Sequence, residues 1–496
     1  MYSVAIAFGL GSVMLCIGML IRAKISFFRH ILMPSSVIGG IIGFLFMNAI
    51  LVQTKTDLVS IKDFSNIVDV FFIMSFISIG LTGSKKKKET KSKKSGNGLI
   101  KGATGMALIW CMLYAIQPLV GVLIASTIGK AFGMDAMYGI LIPFAFCQGP
   151  GQSSTYGRLF ENTYGFENAE MVALTFAILG FIAAFCIGVP LARLGLKKGL
   201  TKSKGKINES VEKGYFIPEE QRENIGKSTF HSGNIETVAA HFAIMGICYL
   251  IALGLAKIIS FIPVLGSTFS AMTFMWGMIA AYMVRAILEK LKIDYIINNA
   301  FQSRITGFFS DYLVVCAFMA IQVGVIGKWI VPILIIAIVD ALLTYGICLY
   351  FGSRLGSDHD FERVLGVYGT STGTTPSGLS LVRIVDPRLQ TSTGAELGMM
   401  NMAMIFSTPT MIFITFAGLK LLSLPLACAG MFVTIFVYMI LLKVFRVWTK
   451  PTFSLKKGRL MNGESENSQD TDVLKGYLHD DFDTSTIEAM IENSVQ

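Results

Sequence analysis

The sequence predicts an all-α polytopic membrane protein made of two inverted five-helix repeats, each with a re-entrant hairpin, plus one extra C-terminal helix. Three observations carry this expectation. Of the 496 residues, 53% are hydrophobic and 15% charged, whereas soluble domains carry about 25% charge. Apolar runs of about 20 residues recur along the chain, each matching a hydrocarbon core of roughly 30 Å. Two Gly/Ser/Thr/Pro-rich tips interrupt the pattern at corresponding places.

The first repeat, 1–194, supplies spans at 3–21, 31–51, 64–82, 102–127 and 169–194. The first run is followed directly by another span and is expected to be a retained helix rather than a signal peptide. Pro34, Gly39 and Gly40 in the second span suit a kink and close packing. A linker at 195–236 follows. The second repeat, 237–418, supplies spans at 238–261, 271–288, 307–326, 330–351 and 397–418. An eleventh helix falls within 419–446, and 447–496 is expected to be a polar cytoplasmic tail that is flexible beyond Lys450, with one short amphipathic helix near Ile487 to Ile491.

Charge sets the orientation. Arg22, Lys24 and Arg29 follow the first span. Lys85, Lys86, Lys87, Lys88, Lys91, Lys93, Lys94 and Lys101 follow the third, and Lys197, Lys198, Lys202, Lys204, Lys206, Lys213, Arg222 and Lys227 follow the fifth. Alternate loops hold little beyond Lys55, Lys62, Lys130, Lys328 and Lys420. The lysine-rich face is cytoplasmic by the positive-inside rule, so the N-terminus lies outside and the C-terminus inside a plasma membrane. The net charge of +10 follows from these loops and does not indicate nucleic acid.

The first hairpin, about 136–160, centres on Cys147-Gln148-Gly149-Pro150-Gly151-Gln152-Ser153-Ser154-Thr155. The second, about 361–385, centres on Gly369-Thr370-Ser371-Thr372-Gly373-Thr374-Thr375-Pro376-Ser377-Gly378. Arms of 7–11 residues are too short to span, and their opened backbone is tolerated only where it lines a cavity. Gln148, Gly149, Gly151, Gln152, Ser153, Ser154, Thr155, Arg158, Thr372, Gly373, Thr374, Thr375 and Ser377 are therefore the candidate solute-binding residues.

Each hairpin follows a fourth helix with one intramembrane polar residue. Gln117 lies 32 residues before Gly149, and Asp340 lies 33 before Gly373. An odd number of spans per repeat turns the second upside down, which is the layout of alternating-access carriers. Asp340 is the sharpest residue, because a carboxylate in mid-span is costly unless it serves a cavity or a partner. It can coordinate Na⁺ or carry a proton. Gln117, Asp340, Ser371 and Asn401 form the candidate ion-coupling set, with Na⁺ at Asp340 and hairpin-tip carbonyls. Thr175 and Asn401, on the helices after the hairpins, are candidates for the same cavity.

All eight cysteines fall in apolar runs or the first hairpin, so no disulfide framework is indicated, and five scattered histidines indicate no resident metal. Walker A, His-Glu-x-x-His, Gly-x-Ser-x-Gly and Cys-x-x-Cys motifs are missing. The expectation is a non-enzymatic carrier without cofactor. A proton-coupled organic-anion carrier is the alternative on the same scaffold; a channel or membrane sensor is the alternative of another class.

Several stretches resemble the sodium/glutamate symporter family. They are the Gly149/Gly151 tip, Leu159-Phe160-Glu161, Tyr164-Gly165-Phe166, Asn168-Ala169 and Val172-Ala173, with Gly188, Pro190, Ala192 and Arg193. Pro34 with Val37, Gly39 and Gly40, Phe71-Phe72 with Ile79-Gly80-Leu81, and Gly373, Thr375 and Pro376 agree. The resemblance spans most of residues 1–417. It implies sodium-driven import of glutamate by an elevator-like movement of the hairpin domain, with spans two, three, seven and eight in the scaffold and the contact of a homodimer. Gln148, Pro150 and Gln152 depart from the family's tip pattern, and Asp340 stands where glutamine is common. These departures bear on solute choice and ion number.

Overall fold

The computed structural model describes residues 3–30, 32–51, 60–82, 93–202, 224–263, 266–386, 391–402, 406–456 and 458–460. The lysines at 85–88, the middle of the linker, and 461–496 with its acidic residues and Ile487 to Ile491 lie outside the described residues.

The order begins with α1 (Ser3–Lys24), α2 (Ser35–Phe46, prolonged by a π turn Met47–Leu51), α3 (Ile61–Leu81) and α4 (Lys93–Ile124). A 3-10 turn, Ala136–Leu141, leads into α5 (Ile142–Phe146), then α6 (Pro150–Asn162) and α7 (Ala169–Lys197). After the linker come α8 (Thr237–Ile259), α9 (Thr273–Lys290), α10 (Asn299–Met319) and α11 (Ile330–Gly352). Next are α12 (Asp360–Ser371), α13 (Thr375–Val385), α14 (Thr393–Met402), α15 (Thr408–Gly418) and α16 (Leu424–Val444). Seven described helices are long and apolar enough to cross a membrane, so the chain is a multi-pass membrane protein.

Four expected spans take a different form. The span at 31–51 starts only at Ser35, because Pro34 sits at the N-cap of α2. α9 matches its span in position but ends in Arg285, Glu289 and Lys290. α10 begins eight residues before the expected 307, since the Asn298 side chain caps the Phe301 amide and polar residues extend the first turns. The span at 397–418 divides into α14 and α15, with Pro409 in the first turn of α15, where its missing N–H does no harm.

The helices pack as two bodies. α1, α2, α3, α8, α9 and α10 form one; α4 to α7 and α11 to α16 form the other. In the first, Gly39 packs directly on α1, where an added Cβ would stand 3.2 Å from Leu15 Cα, so small residues let these helices touch. Ile77, Met245, Ala280, Ile305 and Phe309 join α3, α8, α9 and α10 in a separate apolar cluster. In the second body, α6 lies on α7, α13 on α12, and both α12 and α13 on α7. The bodies meet where α3 and α10 face α6 and α7.

The start of the tail is held, not loose. Val447, Thr452 and Phe453 are buried, and Phe453–Ser454 pairs antiparallel with Gly458–Arg459. Thr452 donates to the Ser353 carbonyl and to Asp360, while Phe453 meets the Phe361 ring edge-on. The apolar anchor Phe453 explains why this polar stretch is fixed.

Candidate functional site

Both broken helix pairs arise from the same local chemistry. α5 stops at Cys147, and Gly149 carries the chain through φ +82° into α6, whose first residue is Pro150. Only glycine takes this backbone conformation cheaply, and proline suits a first helical position because its missing N–H has no intrahelical partner there. α12 stops at Ser371, and α13 begins at Thr375 with Pro376 as its second residue, where the N–H likewise has no intrahelical partner. Ser153 and Thr155 return their hydroxyls to the carbonyls of Gly149 and Gly151 at 3.0 Å. Thr372 returns its hydroxyl to Tyr368, and Thr374 and Ser377 share a 3.3 Å contact.

The two breaks abut. A Cβ on Gly149 would lie 3.2 Å from the Gly373 carbonyl and would strike Thr374. Gly151 leaves no space against the Phe72 ring of α3. Gln117 on α4 joins the two breaks to α11. Its Nε2 donates to the Ser371 carbonyl at 3.0 Å and to Thr344 Oγ1 at 3.1 Å. Its Oε1 accepts from Cys147 Sγ at 3.3 Å. Asp340 lies one turn before Thr344 on the same helix and is fully buried; neither carboxylate oxygen accepts a hydrogen bond among the described residues. The Ser371 hydroxyl and the side-chain oxygens of Gln148 and Gln152 are likewise buried without a partner there. Such groups are costly to bury unsatisfied. Hard oxygens of a carboxylate, a hydroxyl and amides are the donor set a Na⁺ ion takes.

The first tip's remaining candidates do not join this centre. Arg158 lies nine residues beyond Gly149, about 14 Å along a helix, and is paired with Asp69 on α3 and with Glu170 on α7, the latter at 3.0 Å. Ser154 donates to the same Glu170 oxygen at 2.6 Å. Arg158 and Asp69 border a cavity of about 410 Å³ at the seam of the two bodies, together with Thr155, Asn162, Ser270 and Thr273. The side chain of Asn401 lies outside the described residues, and Thr175 bonds its own helix at Met171. Sequence reasoning missed Asp69, Glu170 and Thr344. Asp69 was discoverable, because a carboxylate inside an apolar span is the signal that marks Asp340.

A second polar cluster sits at the root of α12. Arg363 holds Glu396 of α14 through two bonds, at 2.8 and 2.6 Å, and Asp360 at 3.0 Å. His359 contacts Asp358 at 2.9 Å and Ser392 at 2.9 Å. Burial alone would lower the His359 pKa, but the carboxylates of Asp358 and Glu396 outweigh it and raise it.

Known proteins match this chain over most of its length. The family model for sodium/glutamate symporters matches residues 2–391. The chain belongs to the sodium/glutamate symporter family. The sodium/glutamate symporter of Haemophilus influenzae is 23% identical over 388 residues, 76% of this chain and 88% of that protein. The Escherichia coli sodium/glutamate symporter is 22% identical over 378 residues, 75% of this chain and 86% of its own length. Membership makes this chain a secondary transporter and not an enzyme. Within this symporter the match ends before α14, so Glu396, α16 and the held start of the tail lie beyond it.

Proposed function

We propose that the protein is a sodium-coupled symporter that imports glutamate or a related small carboxylate or amino acid. The observation that carries this reading is the meeting of the two breaks at Gly149 and Gly373, tied through Gln117 to the helix of Asp340, a buried carboxylate with no partner among the described residues. Two helix N-termini, those of α6 and α13, begin at these breaks. Helix N-termini favour negative charge, so an anionic group of the solute suits the tips. Sodium sits at Asp340 with Ser371, Gln117 and tip carbonyls. The names of the two bacterial relatives support glutamate and sodium.

The rest of the reading concerns movement. The pairs at 136–160 and 361–385 are re-entrant hairpins, entering from outside and inside respectively. The repeats 1–194 and 237–418 are inverted, 195–236 is a cytoplasmic linker, 419–446 is an added helix, and 447–496 is a cytoplasmic tail. The N-terminus is outside. Helices two, three, seven and eight of this count correspond to α2, α3, α9 and α10, which pack in one body. That body is the scaffold and the homodimer contact, and the hairpin body slides against it as an elevator.

Uptake of labelled glutamate into proteoliposomes tests the reading, with an inward sodium gradient against a matched potassium control. Accumulation with sodium, lost when the gradient is collapsed, supports it. Accumulation driven by a proton gradient without sodium favours a proton-coupled carrier, for which Asp340 is the carboxylate that carries H⁺. Equilibration without accumulation favours a channel.

A further inference from the structure

We propose that the Arg158–Asp69 pair reads the zwitterionic head of an α-amino acid, the guanidinium taking its carboxylate and Asp69 its ammonium. This rests on the symporter reading above and narrows its solute class; the head sits in the seam cavity, and the tips remain for the ion and for an anionic group on the solute's side chain. The two residues belong to different bodies, Asp69 to α3 and Arg158 to α6, and both line the 410 Å³ cavity between them. That volume falls within the roughly 300–1,000 Å³ of small-molecule pockets. Their side chains are 24% and 28% exposed, so a solute can reach both.

Charge decides the class. Arg158 faces two carboxylates, Asp69 and Glu170, and Glu170 is held by Ser154 on α6 as well. A plain anion that took Arg158 from Asp69 would leave Asp69 uncompensated in a half-buried seam, which is costly. An α-amino acid brings its own cation. Its head replaces one ion pair by two, so neither Arg158 nor Asp69 is left without a counter-ion. Glu170 keeps the guanidinium in place during the exchange, because its carboxylate stays on the hairpin body's side. Asp69 Oδ1 is buried and has no hydrogen-bond partner among the described residues, so the carboxylate keeps acceptor capacity beyond its tie to Arg158. Thr155, Asn162 and Thr273 also line the cavity. In the proposed orientation the cavity opens outward, at the external ends of α3, α6 and α9. Binding there replaces a direct tie between the two bodies, so occupancy and movement are linked.

The test is competition binding to the purified full-length protein in sodium-containing nanodiscs, with labelled L-glutamate as probe and glutarate, its analogue without the amino group, as competitor. The wild type should bind glutamate ten- to a hundredfold more tightly than glutarate, because a site built for a charged donor rejects its absence. Asp69→Asn should bring that ratio within about twofold, and Asp69→Glu should restore most of it. A lost general fold moves both ligands alike, so the ratio separates a reader from a scaffold residue. Glutamate binding without preference over glutarate in the wild type overturns the inference and leaves the symporter reading standing. An unchanged ratio in Asp69→Asn does the same. L-Alanine binding that depends on Asp69 and Arg158, with no glutamate binding, supports the inference and removes the acidic side chain from the symporter reading. No binding of either amino acid to folded protein overturns it.

Discussion

Replacing Arg363 by methionine should cost this protein a large part of its stability. Arg363 is 4% exposed, and the carboxylates of Asp360 and Glu396 that it bridges are fully buried. Methionine fills the volume but supplies no charge. Asp360 is partly compensated, since it still accepts from the Gly356 and Ser357 amides and from Thr452. Among the described residues Glu396 keeps only Ser392 at 2.8 Å and the more distant His359. Removing one partner of a buried pair typically costs 3–5 kcal/mol, so a loss of about 3–4 kcal/mol is expected for Arg363→Met. Glu396→Gln leaves a neutral acceptor beside Arg363 and should cost about 1–3 kcal/mol. The double variant Arg363→Met/Glu396→Leu should be more stable than Arg363→Met alone, because apolar replacement of a whole buried pair is often close to neutral. Denaturant unfolding in nanodiscs measures all three, with Glu396→Leu added as the second single of the double-mutant cycle. A loss below about 1 kcal/mol for Arg363→Met, or a double variant that loses the sum of the singles, refutes the reasoning.

Other perturbations test other links. Gly149→Ala forces a side chain into φ +82° and against Thr374; it should cost about 1–3 kcal/mol from backbone strain alone and abolish uptake, as read by thermal unfolding and proteoliposome flux. Gln117→Leu removes the bonds to Thr344 and the Ser371 carbonyl; it should lower stability by about 1–3 kcal/mol and weaken sodium dependence in the same uptake assay. The raised His359 pKa sets a pH dependence. Its contribution is fully present below its unfolded value of about 6.5 and is lost as pH rises through the higher folded value. Unfolding midpoints from pH 6 to 8.5 should therefore fall more steeply in the wild type than in His359→Gln, and parallel curves would remove His359 as the source.

The sequence made the polytopic helical class legible because hydrocarbon thickness imposes a length on every span. It also located both breaks within a residue or two, since Gly149-Pro150 and Thr375-Pro376 are local signals that need no tertiary context. Helix ends were harder. Hydropathy placed a start at 307, whereas the Asn298 cap begins α10 earlier through one side-chain bond that no apolarity scale registers. Partnerships were harder still. Gln117 and Ser371 are 254 residues apart and meet at 3.0 Å, and nothing local encodes that. Arg158 was visible as a lone cation, but its ties to Asp69 and Glu170 depend on how two bodies pack. The hold of Phe453 on Phe361 likewise arises only once α12 and the chain beyond α16 are brought together.

Sodium-dependent solute binding in the wild type against Asp340→Asn tests the central claim most directly. Glutamate affinity would be measured on purified protein in nanodiscs as sodium is raised at constant ionic strength. Wild-type affinity should climb with sodium, and Asp340→Asn should flatten that dependence by at least one order in sodium while unfolding no more easily, because it removes an unpartnered buried carboxylate. A variant that keeps the full sodium dependence with folded structure intact would show that the ion is bound elsewhere and that Asp340 does not couple it.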